Sequence, residues 1–187
     1  PIPALQGIDN SGKVIYIGTF SRAIAPAIRI GYMVLPKALM EIYKNYFYYY
    51  SSTVSRVDQN IMTNFIEGGY FERHLNKMRK IYKNKHDLLI QNLKVFGDKI
   101  QIEGENAGLH LVLRFATTAT EQEIIDAAAK KSIRLYGLSK HYISHVTQID
   151  GDKLHTTPAI LLGYANVSEQ DLQHGIQALY DLLKVYL

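Results

Sequence analysis

Cysteine is absent from the 187 residues, which removes a disulfide scaffold, cysteine-based metal sites and a thiol nucleophile together. No apolar run approaches the length of a membrane span, and the opening Pro1-Ile2-Pro3 lacks the basic and apolar regions of a secretory leader. Internal repeats, low-complexity linkers and long charge runs are missing as well. The expectation is a cytoplasmic protein with no membrane partner. His110, His141, His145 and His155 show no metal-ligand spacing and no acidic cluster accompanies them, so no metal site is expected. Neither sign of charge dominates: 21 basic against 17 acidic residues gives a mild +4, which permits an anionic ligand or a nucleic acid without demanding one.

What the chain does have is enough apolar material for a core. Hydrophobic residues make up 47% and charged residues 20%, a globular composition. The length suits one substantial domain, or one domain and part of another. Val14 to Thr19 and Ile30 to Leu35 read as strands, the second closed by Pro36. Helical spacing follows through Leu39, Ile42, Tyr43 and Tyr46, and again from Val57 to Ile66, where Gly68-Gly69 stops it. From Tyr70 to about Phe96, apolar residues at 71, 75, 78, 82, 89, 93 and 96 make one stripe of a long helix. Strands at 99–103, 109–115, 133–136 and 159–164 alternate with helices at 121–131 and from Ser168 onward, which implies an α/β layer. Ser168-x-x-Asp171 is a variant capping box, and 139–155 is the most loop-like interior stretch.

Between the first two strands lies Gly18-Thr19-Phe20-Ser21-Arg22-Ala23-Ile24-Ala25-Pro26-Ala27-Ile28-Arg29-Ile30-Gly31-Tyr32. It resembles the pyridoxal-phosphate (PLP) lysine loop of fold-type I aminotransferases, S-K-x-L-x-P-x-x-R-x-G-Y, with Arg22 at the lysine position. Further blocks match in order: Pro1-Ile2-Pro3-Ala4-Leu5-Gln6-Gly7, Phe65 to Leu75 with Met78-Arg79 and Tyr82, Ala107-Gly108-Leu109-His110, and Leu162-Gly163-Tyr164-Ala165. Together they resemble the aminotransferase-like domain of MocR-type regulators in the GntR family, over essentially the whole chain.

The resemblance implies an α/β chain forming the C-terminal part of a fold-type I domain. Residues 1–35 would end the large cofactor domain, 36–69 would form an interdomain helical segment, and 70–187 the small C-terminal α/β domain. In this family a winged helix-turn-helix head, a separate domain that the chain does not contain, binds DNA, and the aminotransferase-like body senses PLP or its amino-acid adduct. The family's cofactor aspartate and tyrosine would fall roughly ten residues before Pro1. The intact protein is expected to be a homodimer.

The resemblance also implies cofactor contacts at Thr19, Ser21, Arg22 and Arg29, with Arg29 gripping the PLP phosphate in a bidentate fork. Arg22 changes the chemistry. A Schiff base needs a neutral amine with a free lone pair, whereas guanidinium stays protonated and delocalises its lone pairs. Covalent attachment through position 22 is therefore not expected, and no catalytic residue is assigned. Natural loss, an engineered replacement and misalignment are the three readings of Arg22; the nearest lysines, Lys13 and Lys37, lie outside the loop and count against misalignment.

The strand at 159–164 also lacks the arginine that aminotransferases use for the substrate carboxylate; Arg114, Arg134 and Arg56 are the possible substitutes. The run Tyr46 to Tyr50 reads more readily as core or interdomain packing than as a stacking platform. Arg73, His74, Lys77, Arg79, Lys80, Lys83 and Lys85 read as a solvated helix face before a DNA contact. The leading expectation is a catalytically silent effector-binding and dimerisation body of a regulator. A PLP aminotransferase with its lysine replaced, and a purely structural domain, are the alternatives.

Overall fold

A computed structural model describes residues 3–106, 108–142 and 157–186. The expectations for Pro1, Ile2, Ala107, His145, His155 and most of the loop-like stretch lie outside those residues. The chain forms two compact units, Pro1–Arg79 and Lys80–Leu187. No helix among the described residues is long and apolar enough to cross a membrane.

The first unit contains a short helix α1 (Leu5–Ile8), strands β1 (Tyr16–Thr19) and β2 (Gly31–Val34), and helices α2 (Lys37–Tyr46) and α3 (Arg56–Glu67). Helix α4 (Tyr70–Leu93) begins in it, and its residues from Lys80 on belong to the second unit. β1 and β2 form an antiparallel pair with Tyr16 opposite Val34 and Thr19 opposite Gly31. Asp9 shapes the entry to β1. Its carboxylate accepts from the backbone N–H groups of Ser11, Gly12, Lys13 and Val14 and from the Ser11 hydroxyl, at 2.7 to 3.1 Å.

Pro36 starts α2 by occupying its N-cap, where its missing N–H costs nothing. Ser55 caps α3 by accepting from Asp58 N–H. Gly69, at a φ of +70°, turns the chain between α3 and α4 in a conformation that favours glycine. Arg73 reaches back to the Gly68 and Gly69 carbonyls and lies over the Tyr70 ring. Only Met62 is buried among this unit's described residues. Tyr46, Tyr48, Tyr49 and Tyr50 are exposed by 71% to 86%, so the aromatic run does not fill a core here. α2 ends at Tyr46, which places the tyrosines after it on a turn beyond the helix's apolar stripe.

The second unit holds the core. Strands β3 (Ile100–Glu103), β4 (His110–Phe115), β5 (Tyr136–Gly137) and β6 (Ala159–Gly163) lie in the order β3-β4-β6-β5, every pair antiparallel. Alternation along β4 puts Leu111, Leu113 and Phe115 into the core. They meet Leu89 and Leu93 of α4, Ile124 and Ala128 of α5 (Glu121–Ala129), and Leu172, Ile176, Leu179 and Leu183 of α6 (Glu169–Leu183). Each such side chain contributes roughly 1.5–3 kcal/mol by leaving water. The strand expected at 133–136 is shorter and shifted, because Ser132 at a φ of +61° turns the chain out of α5 and Leu135 is drawn into the core first.

Helix starts are set locally. Thr120 and Glu123 make a full capping box on α5, a T-x-x-E signal present in the sequence but not read from it. Ser168 caps α6 by accepting from Asp171 N–H, while its hydroxyl donates to the Asp171 carboxylate at 2.6 Å.

Two outcomes follow from these contacts. Leu113→Ala in the central strand is expected to cost about 2–5 kcal/mol, read as a lower urea midpoint; a loss well below 1 kcal/mol would contradict a packed core at that position. The hydrogen bonds from Val14 N–H and then Ser11 hold the Asp9 carboxyl at about 2, below its usual 3.8. Because the folded value is depressed, its contribution to stability is fully present above the unfolded value and is lost as pH falls toward 2. An NMR titration of the Asp9 carboxyl carbon should give a midpoint near the lower value, and an ordinary midpoint would mean the cage does not form in solution.

Candidate anion-binding loop

The turn between β1 and β2 is closed at its base by backbone and by one threonine. Phe20 N–H donates to the Ile30 carbonyl at 2.9 Å. Thr19 Oγ1 donates to the same carbonyl and accepts from Ser21 N–H, both at 3.1 Å. Ala23 and Ile24 N–H groups both return to the Phe20 carbonyl, tightening the segment that carries Arg22. Pro26–Ile28 forms a 3-10 turn, its proline at the position where a missing N–H is harmless.

Arg29 ends that turn in the left-handed region, at φ 51° and ψ 27°. A non-glycine residue there costs on the order of 1–3 kcal/mol, and such strain collects at ligand sites. No sequence signal reports it.

Packing holds the loop from below. Phe20 lies 5.1 Å from the Tyr32 ring and 5.7 Å from the Phe71 ring, the latter edge-on. A side chain at Gly18 would collide with the Tyr32 ring, so the motif's glycine serves this aromatic contact. His74 Nε2 lies 3.1 Å from the Ala23 carbonyl, one residue beyond Arg22. Sequence spacing had put His74 on a solvated helix face; it is half-buried and holds the loop instead. Lys85 likewise leaves that face, donating to the Ala165 carbonyl at 2.8 Å.

Of the four expected contact residues, the structure brings Thr19 and Ser21 directly together. That contact uses the Thr19 hydroxyl and Ser21 N–H to shape the turn. Arg22 and Arg29 are both exposed, and neither guanidinium meets a hydrogen-bond or ion-pair partner among the described residues. Two guanidiniums and a hydroxyl in one turn have the charge and the donor types that a phosphate dianion takes. The same donor set has no amine for an aldehyde. By chemical type these side chains suit the phosphate end of the cofactor, and none of them is an amine that could attach it covalently.

The possible substitutes for the carboxylate arginine separate clearly. Arg114 is buried, its Nε donating to Glu103 Oε1 at 2.7 Å and its Nη2 near the Tyr142 hydroxyl at 3.4 Å. Glu103 holds the Arg114 guanidinium still more firmly protonated. Arg56 is exposed at the start of α3. Arg134 lies over the Tyr136 ring, 5.2 Å from its centroid. Among the described residues no group of histidine and acidic side chains could hold a metal.

The last two sequence blocks prove structural. His110 pairs with Gly163 across β4 and β6, and the Tyr164 hydroxyl donates to the Gly108 carbonyl at 3.1 Å. Burial pushes the Tyr164 phenol up.

Comparison with known proteins places this geometry. The aminotransferase class I and II family matches residues 2–179. The chain is 40% identical over 182 residues to an uncharacterized HTH-type transcriptional regulator, YhdI of Bacillus subtilis (strain 168), covering 96% of this chain and 36% of that protein. It is 32% identical over 183 residues to the probable rhizopine catabolism regulatory protein MocR of Rhizobium meliloti, covering 96% and 35%. Among solved structures, Pyrococcus horikoshii kynurenine aminotransferase in complex with PMP superposes with a TM-score of 0.74 at 26% identity, covering 96% of this chain and 43% of that one. The chain thus spans little more than a third of the regulators' length. The shared fold is that of the fold-type I aminotransferases, whose cofactor in the parent family is PLP. By its sequence and by its fold, the chain belongs to the aminotransferase class I and II family.

Proposed function

We propose that the chain is the effector-binding and dimerisation body of a GntR/MocR-type transcriptional regulator, catalytically silent, whose DNA contacts are made by a separate winged-helix domain of the whole protein. The observation that carries this is Arg22. It stands at the Schiff-base position of an otherwise well-matched loop, exposed and without a partner among the described residues. The kinship to HTH-type regulators at 32–40% identity supports the same reading.

In this reading Ser21, Arg22 and Arg29 hold a phosphate-bearing ligand, and Thr19 keeps the turn closed beneath it. A guanidinium pair binds phosphate through charge-assisted, forked hydrogen bonds. Binding is then reversible, as a sensor requires, since a covalently fixed ligand reports its concentration poorly. PLP bound in its own family supplies carbanion stabilisation to amino-acid chemistry; without an amine at position 22 this chain supplies no partner for it.

Equilibrium dialysis of PLP against the full chain, with and without borohydride, tests the proposal. Reversible binding without a reduced covalent adduct is expected. Arg29→Gln should weaken it by at least roughly tenfold, and Arg22→Lys should create a reducible adduct at position 22. A specific adduct on a lysine of the unaltered chain would overturn catalytic silence and favour the aminotransferase alternative. A gene that encoded no winged helix upstream of this segment would overturn the regulator assignment.

A further inference from the structure

The unit Lys80–Leu187 contains a cleft that the loop chemistry does not use. Its volume is about 180 Å³, and Leu89 of α4, Leu172 and Ile176 of α6, and Leu162 of β6 supply its apolar walls. A cavity of about 150 Å³ lined by aliphatic side chains is enough to take up benzene, so this one suits an apolar group of four to six carbons.

Two charged residues of opposite sign also line it, Arg134 and Asp171. Arg134 is exposed, steadied over the Tyr136 ring, and meets no carboxylate among the described residues. Asp171 uses Oδ2 for the Ser168 hydroxyl and leaves Oδ1 without a partner among the described residues. No ion pair joins the two, although they border one cleft. They therefore offer a cation site and an anion site separately.

The helix makes room for an occupant. Gly175 lies inside α6 and lines the cleft, and a Cβ built there would meet nothing within 4 Å. Glycine is disfavoured in a helix interior relative to alanine, and here it leaves open space that no neighbour fills.

We propose that this cleft binds a free α-amino acid with a small apolar side chain, its carboxylate on Arg134 and its ammonium on Asp171 Oδ1. A plain carboxylic acid would leave Asp171 facing an apolar group, and a peptide carries its two terminal charges on different residues and so does not present both from one α-carbon. Because all these residues belong to one unit and none to the 18–32 loop, the site does not depend on the PLP reading. It gives the chain a second small-molecule input in addition to the loop.

Titration of the full chain with L-leucine, followed by amide NMR, tests the site. Saturable shifts around Leu172 to Leu179 are expected. Leucinamide, which lacks the carboxylate, and 4-methylpentanoate, which lacks the ammonium, should each bind at least roughly tenfold more weakly. Arg134→Gln, at an exposed position, should weaken leucine by a similar factor, and Gly175→Leu should abolish its binding by filling the cleft. Gly175→Ala serves as the folding control and should raise the thermal midpoint while leaving leucine bound. Arg22→Gln with Arg29→Gln should leave leucine binding unchanged, which separates failure of this site from failure of the loop. Absence of saturable shifts at millimolar leucine, or leucine binding unaltered in both Arg134→Gln and Gly175→Leu, would overturn the proposal. Equal affinity for 4-methylpentanoate would overturn the role of Asp171.

Discussion

Burial against the inner face of β4 is the interaction on which the second unit depends. Leu111, Leu113 and Phe115 alternate inward from the central region of a four-stranded sheet, and helices α4, α5 and α6 close over them. Without that face the helices would have no apolar partner, since their own stripes are complementary to it. The antiparallel pairing of β4 with both β3 and β6 fixes which residues point inward, because a one-residue slip would turn all three outward. Arg114, between Leu113 and Phe115, points to the other side and is neutralised there by Glu103. The core thus also decides that this arginine is engaged in an ion pair.

The first unit rests on a different balance. Its two-stranded pair buries little, as such pairs do, and Ile17, Met33 and Ile61 stay exposed while Met62 alone is buried among the unit's described residues. Its order comes from directed contacts: the Asp9 carboxylate gathering backbone donors, aromatic rings around Gly18, and His74 beneath the loop. These contacts define a turn more than they provide bulk stability. One arginine of that turn, Arg29, sits on a left-handed backbone.

The charge chemistry of the loop separates binding from catalysis. Phosphate recognition needs fixed positive charge and several donors, which arginine provides at any physiological pH. Carbonyl chemistry needs a nitrogen that gives up its proton, which arginine does not do. In the proposed reading of Arg22, an arginine at the lysine position would keep the first capacity and lack the second.

Much was legible before any coordinates. The period of apolar residues marked α4 and α6, Gly68-Gly69 marked the break between helices, and the motif around Arg22 and Arg29 marked the family. These signals are local, carried by spacing and by residues with narrow conformational or chemical options. The sequence could not show that Arg29 takes a left-handed backbone, that His74 and Lys85 leave a seemingly solvated face to bind carbonyls 51 and 80 residues away, or that Tyr46 to Tyr50 remain outside any core. Each depends on what lies opposite in space. The chain by itself determined its elements, its family and the absence of an amine at position 22, because those are properties of residues and their spacing. Only the tertiary structure decided which arginines are paired, which hydroxyl is spent on the turn, and where Arg134, Asp171 and Gly175 meet around one cleft. Partnership across long sequence separation is set by packing, and residue spacing does not encode it.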